Sequence, residues 1–387
     1  MAELNVLIAP DSFKGSATSR EVGELLERGV RRVVPDARVL RFPIADGGEG
    51  TVDAIVSARD GQMREATVSG PLGEPVRARY GLVDSTTAVI EVASAIGITL
   101  IEQNAGNALR ASSLGVGQLV LDAVDAGARR VLVGLGGSAT SDGGAGMAKA
   151  LGARFLDDGG EPIPCGLEGL ERLASIDLSH VSPKLRGVEF GVLTDVTNPL
   201  CGPEGAIAVY GPQKGVAERD VERLDGWMRR YANLLAKALG TDVAAVPGAG
   251  AAGGLGAALV AFCGARIERG IEFVLDVIGL EDAMKGVDLV ITGEGRMDAQ
   301  SAFGKAPVGV ARRAKRHGIP VVAVVGSRAD DLGGVYDAGV DLVIPCVTAP
   351  CTLEECIGSV GESVPVAAES AARAYLLGRD SAPVSAR

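Results

Sequence analysis

Seven carboxylates stand in polar or glycine-rich stretches next to apolar runs: Asp11, Asp46, Glu49, Asp142, Asp195, Glu294 and Asp298. Lys14, Lys214, Arg296 and Lys305 occupy the same kind of stretch, accompanied by the hydroxyls of Ser138, Thr140, Ser141 and Ser301. This inventory suits phosphoryl transfer, in which carboxylates hold Mg²⁺ or accept a proton while cations and backbone N–H groups bind phosphates. A histidine-based triad does not fit. The chain has only His180 and His317, neither beside a candidate nucleophile, and His317 reads as an exposed helix end.

The densest of these stretches is Leu132 to Ala153. An apolar run, Val131-Leu132-Val133, enters Gly136-Gly137-Ser138-Ala139-Thr140-Ser141-Asp142-Gly143-Gly144 and continues as a small-residue helix through Met147, Ala148 and Leu151. A strand, a glycine-rich turn and a helix start build an anion site, because glycines let backbone N–H groups approach and the helix end adds partial positive charge. Gly136, Gly137, Ser138 and Thr140 are therefore expected to bind the cofactor phosphates or a substrate anion, with Lys214, Lys305 and Ser301. Asp142 reads as an N-cap or a metal ligand. Asp46 and Glu49, separated by Gly47 and Gly48, can converge on one Mg²⁺.

A hydroxyl nucleophile needs a proton acceptor. Asp195 is the first candidate, at the end of the apolar run 188–193. Asp298 is the second. Arg296 stands beside it for a substrate carboxylate, and Lys14 is a further catalytic cation. The alternative for Asp195 is to cap its own turn.

The elements that must position these groups follow from periodicity. Leu4 to Ala9 reads as a buried strand, and Thr18 to Glu21 as a capping box opening a helix with Val22, Leu25, Leu26, Val30 and Val33 on one face. Arg38 to Ile44 is a second strand, followed by a helix from Val52. Val76, Ala78, Tyr80 and Leu82 alternate, and Ala88 to Val92 follows after a short turn, a strand pair suited to antiparallel pairing. Gly115 to Ala126, Leu224 to Leu239, Pro307 to Lys315 and Leu353 to Leu376 read as helices, and Val188 to Leu193, Asp288 to Thr292, Ile319 to Val325 and Asp341 to Ile344 as strands. The βα rhythm at both ends resembles itself and the middle differs. The expected architecture is α/β: an open parallel, flavodoxin-like domain from 1–66 and 287–387, and an inserted mixed α/β domain, 67–286, with the ligand in a cleft between them.

Composition sets the outer limits. The 387 residues suit two domains. Net charge −11 argues against nucleic acid or an anionic membrane surface as partner, so an anionic ligand needs local Lys and Arg. Asn5 and Asp11 break the first apolar run, so no signal peptide or membrane span is expected, and the six scattered cysteines fit reduced thiols in the cytoplasm. Self-association as a homodimer stays open. Two familiar motifs fail. Gly248 to Gly253 matches G-x-G-x-x-G without a convincing preceding strand, and Gly304-Lys305 lacks the rest of a Walker A loop.

The segments IAPDSFKGS (Ile8 to Ser16), ADGGEGT (Ala45 to Thr51), GLGGSATSDGGAGM (Gly134 to Met147), TDVTNPLCG (Thr194 to Gly202), YGPQKG (Tyr210 to Gly215), PGAGAAGGLGAAL (Pro247 to Leu259) and ITGEGRMDAQSAFGK (Ile291 to Lys305) resemble the bacterial glycerate kinase family in order and over nearly the whole chain. The resemblance implies ATP-dependent phosphorylation of D-glycerate with Mg²⁺, and it favours the 2-hydroxyl over the 3-hydroxyl. It also implies the discontinuous two-domain architecture. Two other classes remain to be discriminated: a nicotinamide oxidoreductase using the turn at Gly248, and a ligand sensor, which has no need of so many carboxylates beside cations.

Overall fold

The apolar runs at the two ends of the chain become neighbouring strands of one sheet. In the computed structural model, residues 4–44, 50–268, 270–303 and 305–381 are described. From the N-terminus, β1 (Asn5–Pro10), α1 (Ser19–Val33) and β2 (Arg38–Arg41) lead to α2 (Thr51–Ala58), β3 (Gln62–Ser69), β4 (Pro75–Leu82) and β5 (Thr87–Glu91). Then come α3 (Leu114–Asp125), β6 (Arg130–Gly134), α4 (Ala145–Ala150), β7 (Glu189–Leu193), α5 (Val221–Leu239), α6 (Ala251–Cys263) and β8 (Arg266–Glu268). The chain closes with α7 (Gly270–Val277), β9 (Leu289–Gly293), α8 (Ala306–Arg316), β10 (Val321–Val325), β11 (Leu342–Pro345), α9 (Leu353–Gly358) and α10 (Val360–Ser381).

Contacts divide the chain into two compact units, 1–46 with 271–387, and 47–270. The first holds a five-stranded sheet in the order β11-β10-β9-β1-β2, parallel throughout, with Val6 opposite both Leu289 and Val39. Counted within this unit the order is 2-1-3-4-5, that of flavodoxin-like folds, and the direction of strand addition reverses between β1 and β9. Val6, Ile8, Leu289, Ile291, Val322 and Val324 point into a core with α1 and α10, while Leu7, Val290, Val321 and Val325 are buried as well. Both faces are covered, which is why these strands read as unbroken apolar runs. The expected capping box of α1 forms, with Glu21 N donating to Thr18 Oγ1 at 3.3 Å and Thr18 N to Glu21 Oε2 at 2.8 Å.

The second unit holds a six-stranded mixed sheet, β8-β7-β6-β5-β4-β3. Its first four strands are parallel, and β4 runs antiparallel to both β5 and β3. The unit boundaries fall at 46 and 270, where the strand rhythm places 66 and 286. The reason is side-chain packing. α2 lies on β3, β4 and β5, with Gly81 leaving room for Val56. α7 belongs to the other unit: Ile271 packs on Gly309 of α8, and the buried Arg313 donates to Glu272 at 2.9 Å and Asp276 at 2.7 Å.

Helices α1 and α10 cross at Gly29, where a Cβ would intrude on the Pro365 carbonyl oxygen and lie 2.5 Å from Ala368 Cβ. Gly226 in α5 has open space instead. Gly29→Ala is therefore expected to destabilise the protein by about 1–3 kcal/mol through overpacking. Gly226→Ala should be neutral or stabilise by up to about 1 kcal/mol, because it removes glycine's helix penalty. Unfolding midpoints in urea for the two variants check the contrast.

Candidate active site

In the unit 47–270, β6 and β7 end side by side, Gly134 opposite Leu193. The turn after β6 and the half-buried Asp195 after β7 thus leave the sheet from adjacent strands. The turn is built around Asp142, whose carboxylate is fully buried. Its Oδ2 accepts from Ser113 N at 2.8 Å, Ser113 Oγ at 2.9 Å and Gly146 N at 3.1 Å, and its Oδ1 accepts from Gly144 N at 3.0 Å. Met147 N donates to Ser113 Oγ at 2.9 Å. This carboxylate caps the start of α4 from inside and satisfies the N–H groups on which an anion would otherwise rest. The glycines here serve packing: a Cβ on Gly143 would lie 2.6 Å from Tyr231 Cε1.

What the turn offers a ligand is its first half. Gly136 is half-buried and Gly137 exposed. Behind them, Lys214 is buried, its Nζ donating to Thr140 O at 2.6 Å and Ser138 Oγ at 3.1 Å. Burial pushes the Lys214 ammonium down to about 7, against the pull of Asp142. Thr140 Oγ1 and Ser141 Oγ are buried with no hydrogen-bond partner. A buried amine beside unused hydroxyls suits an incoming anion, which supplies both charge and acceptors. The stretch at Gly248 is no dinucleotide loop. Gly253 O accepts from Gly143 N at 2.9 Å, and a Cβ on Gly253 would collide with Thr140 O, so these glycines permit backbone to pack on backbone.

In the unit made of the two termini, a cavity of about 790 Å³ opens at the carboxyl ends of the parallel strands. Asp11 and Lys14 come from the loop after β1; Glu294 and Arg296 come from the loop after β9; Lys305 precedes α8. Glu294 is 5% exposed. Its Oε2 accepts from Lys305 Nζ at 3.2 Å, and its Oε1 is buried with no hydrogen-bond partner. Burial pushes its carboxyl above the usual range, with Ser301 and Lys305 opposing and Asp298 adding to the rise. Lys305 also reaches Ser301 Oγ at 3.4 Å. Asp298 shapes its own turn, its Oδ1 accepting from Gln300 N at 3.0 Å, and its Oδ2 lies 3.9 Å from Arg296.

The expected residues thus fall into two groups: Gly136, Gly137, Ser138, Thr140, Lys214 and Asp195 in one unit, and Lys14, Arg296, Asp298, Ser301 and Lys305 in the other. Asp46 and Glu49 lie outside the described residues. Among the described residues no group of three acidic, histidine or cysteine side chains that could hold a metal is present. No local motif marks Ser113, whose partner Asp142 stands 29 positions away. Nor does any motif mark Val347, Leu353, Ile357 and Val366 as the far wall of a cavity.

The profile of the glycerate kinase family matches residues 6–376. The chain belongs to the glycerate kinase family. It is 47% identical to a glycerate kinase of Halalkalibacterium halodurans over 90% of this chain and 92% of that one. It is 45% identical to the glycerate 2-kinase of Escherichia coli K12 over 97% and 99%. The crystal structure of a protein described as glycerate kinase 2 from Salmonella typhimurium LT2 superposes with a TM-score of 0.84 at 46% identity, covering 98% of this chain and all of that one. Among the described residues of this chain no helix is long and apolar enough to cross a membrane.

The depressed Lys214 pKa links stability to pH. Between about pH 7 and the ordinary lysine value near 10.4, the unfolded side chain holds a proton that the folded one has lost. Wild-type stability should therefore rise with pH across that window relative to Lys214→Met, which lacks the group. Urea midpoints of both proteins between pH 7 and pH 10 test this. Parallel pH profiles would mean that Lys214 stays charged in the fold.

Proposed function

We propose that this glycerate kinase transfers the γ-phosphoryl group of ATP to the 2-hydroxyl of D-glycerate, giving 2-phosphoglycerate and ADP. The observation that carries the regiochemistry is the match to a glycerate 2-kinase over nearly the full length of both chains. The geometry supports the reaction class: in the terminal unit cations and carboxylates line a cavity at the carboxyl ends of parallel strands, and in the unit 47–270 a buried lysine stands beside unused hydroxyls, with no histidine in either group.

The 2-hydroxyl oxygen attacks the γ-phosphorus, the hydroxyl proton passes to the Asp195 carboxylate, and the bond from phosphorus to the bridging oxygen of ADP breaks. Asp195 is favoured as base because it follows closely on the buried strand β7. Lys14, Arg296 and Lys305 bind phosphate charge, with Ser301 holding Lys305 in place. Lys214, with Gly136, Gly137, Ser138 and Thr140, binds an anionic group of a substrate. Mg²⁺, when bound, offsets the charge of the phosphates. The unpartnered Glu294 Oε1 and the Asp11 carboxylate, both lining the cavity, are hard oxygen donors that fit it. Asp46 and Glu49 are further proposed ligands. Six free cysteines and the acidic balance support a cytoplasmic enzyme without a nucleic-acid partner.

Asp195→Asn keeps shape and a hydrogen-bonding oxygen but removes the base. Its kcat for D-glycerate-dependent ADP release should fall by roughly 10²-fold or more, while ATP binding stays near wild type. A fall of less than about fivefold would make Asp195 structural and pass the role to Asp298.

A further inference from the structure

The cavity of the terminal unit has two chemically different halves. Lys14, Arg296 and Lys305 line it together with Asp11 and Glu294. The other half is mainly apolar, formed by Val347 after β11, Leu353 and Ile357 of α9, and Val360 and Val366 of α10, with Thr348, Ser359, Glu362 and Ser363 of the same segments also lining it. Side chains of this kind are normally buried, yet Leu353 is 77% exposed and Val347, Ile357 and Val366 are exposed as well. Four of the large exposed apolar side chains of the described chain therefore share one concave wall. An apolar concentration of that sort on a soluble surface marks a binding site.

Three features select the ligand. The volume, about 790 Å³, lies within the range of cavities that enclose a ligand of nucleotide size. The cations and the partnerless Glu294 Oε1 suit a polyphosphate carrying a divalent cation. The apolar half suits a flat, weakly polar ring system, for which glycerate, three carbons bearing only polar groups, has no counterpart. The position agrees: β1 and β9 are the two strands between which the order reverses, and ligands of open parallel sheets bind outside the strand ends at that point.

We infer that this cavity is the ATP site, with the adenine against Leu353, Ile357, Val360 and Val366 and the phosphates against Lys14, Arg296 and Lys305, which leaves the Lys214 cluster to glycerate. The inference rests on ATP being the phosphoryl donor, as proposed above. It makes the Cys346 to Val366 segment, which no chemical motif marks, the part of the chain that selects the nucleotide.

Cys351 and Cys356 line the same cavity, whereas Cys165 is exposed on the other unit. Alkylation of the wild-type protein by N-ethylmaleimide, read peptide by peptide by mass spectrometry, should slow at Cys351 and Cys356 by about fivefold or more with saturating MgATP. Cys165 should be unaffected by MgATP, and D-glycerate should leave Cys351 unchanged. Ile357→Glu and Val366→Glu, at exposed positions, should each raise KM for ATP by about tenfold or more, with KM for D-glycerate within about twofold of wild type. Unprotected Cys351 together with unchanged ATP KM would overturn the site while the kinase reaction stands. A wild-type protein that is protected by MgATP but does not phosphorylate glycerate would instead sink the reaction and leave the site.

Discussion

The parallel pairing of β1 with β9 is the constraint on which the architecture depends. It ties Val6 to Leu289 across an inserted unit of more than two hundred residues. Asn5 N donates to Asp288 Oδ2 at 2.8 Å, and Thr292 Oγ1 donates to Ala9 O at 2.7 Å, so both ends of the strand pair are pinned. The loops after these strands, which carry Asp11, Lys14, Glu294 and Arg296, meet only because of that pairing. Their sequence separation has no bearing on their chemistry. The insertion is tolerated because the sheet of the terminal unit is complete without it.

The second unit solves a different problem. Its glycine-rich turn must hold a lysine in the interior without an adjacent carboxylate taking the charge. Asp142 is close enough to act on Lys214 electrostatically, yet its oxygens are spent on Ser113, Gly144 and Gly146. The carboxylate fixes the backbone, and the backbone carbonyl of Thr140 fixes the lysine. Glycines at 143, 144 and 253 let neighbouring backbone and Tyr231 close over this arrangement. Much of the chain's large glycine content thus serves close approach of protein to protein. A smaller share, around Gly136 and Gly137, remains for a ligand.

The sequence makes the terminal sheet legible because its strands are buried on both faces and read as apolar runs. β4 is legible for the opposite reason, since its exposed and buried positions largely alternate, whereas β5, with Ala88, Val89 and Ile90 all buried, reads as a short apolar run. β3 escapes notice because it is an exposed edge strand with few buried positions, and β8 because three residues carry no period. The helix expected from Leu353 to Leu376 is two helices, interrupted at Ser359, where the C-cap leaves helical geometry between Gly358 and Gly361. That interruption helps form the apolar wall of the cavity, and no local pattern announces it. The site chemistry is legible in its residue types. How those residues group follows from strand order, and the role of Asp142 follows from a serine 29 positions away.

Phosphorylation of D-glycerate at its 2-hydroxyl is the reaction proposed for this protein. Phosphorus NMR of a reaction containing the wild-type protein, D-glycerate, ATP and Mg²⁺ tests it most directly. A new monoester signal that coincides with added 2-phosphoglycerate and grows with ADP is expected. A signal coinciding with 3-phosphoglycerate, or ADP formation without any phosphorylated glycerate, would contradict it.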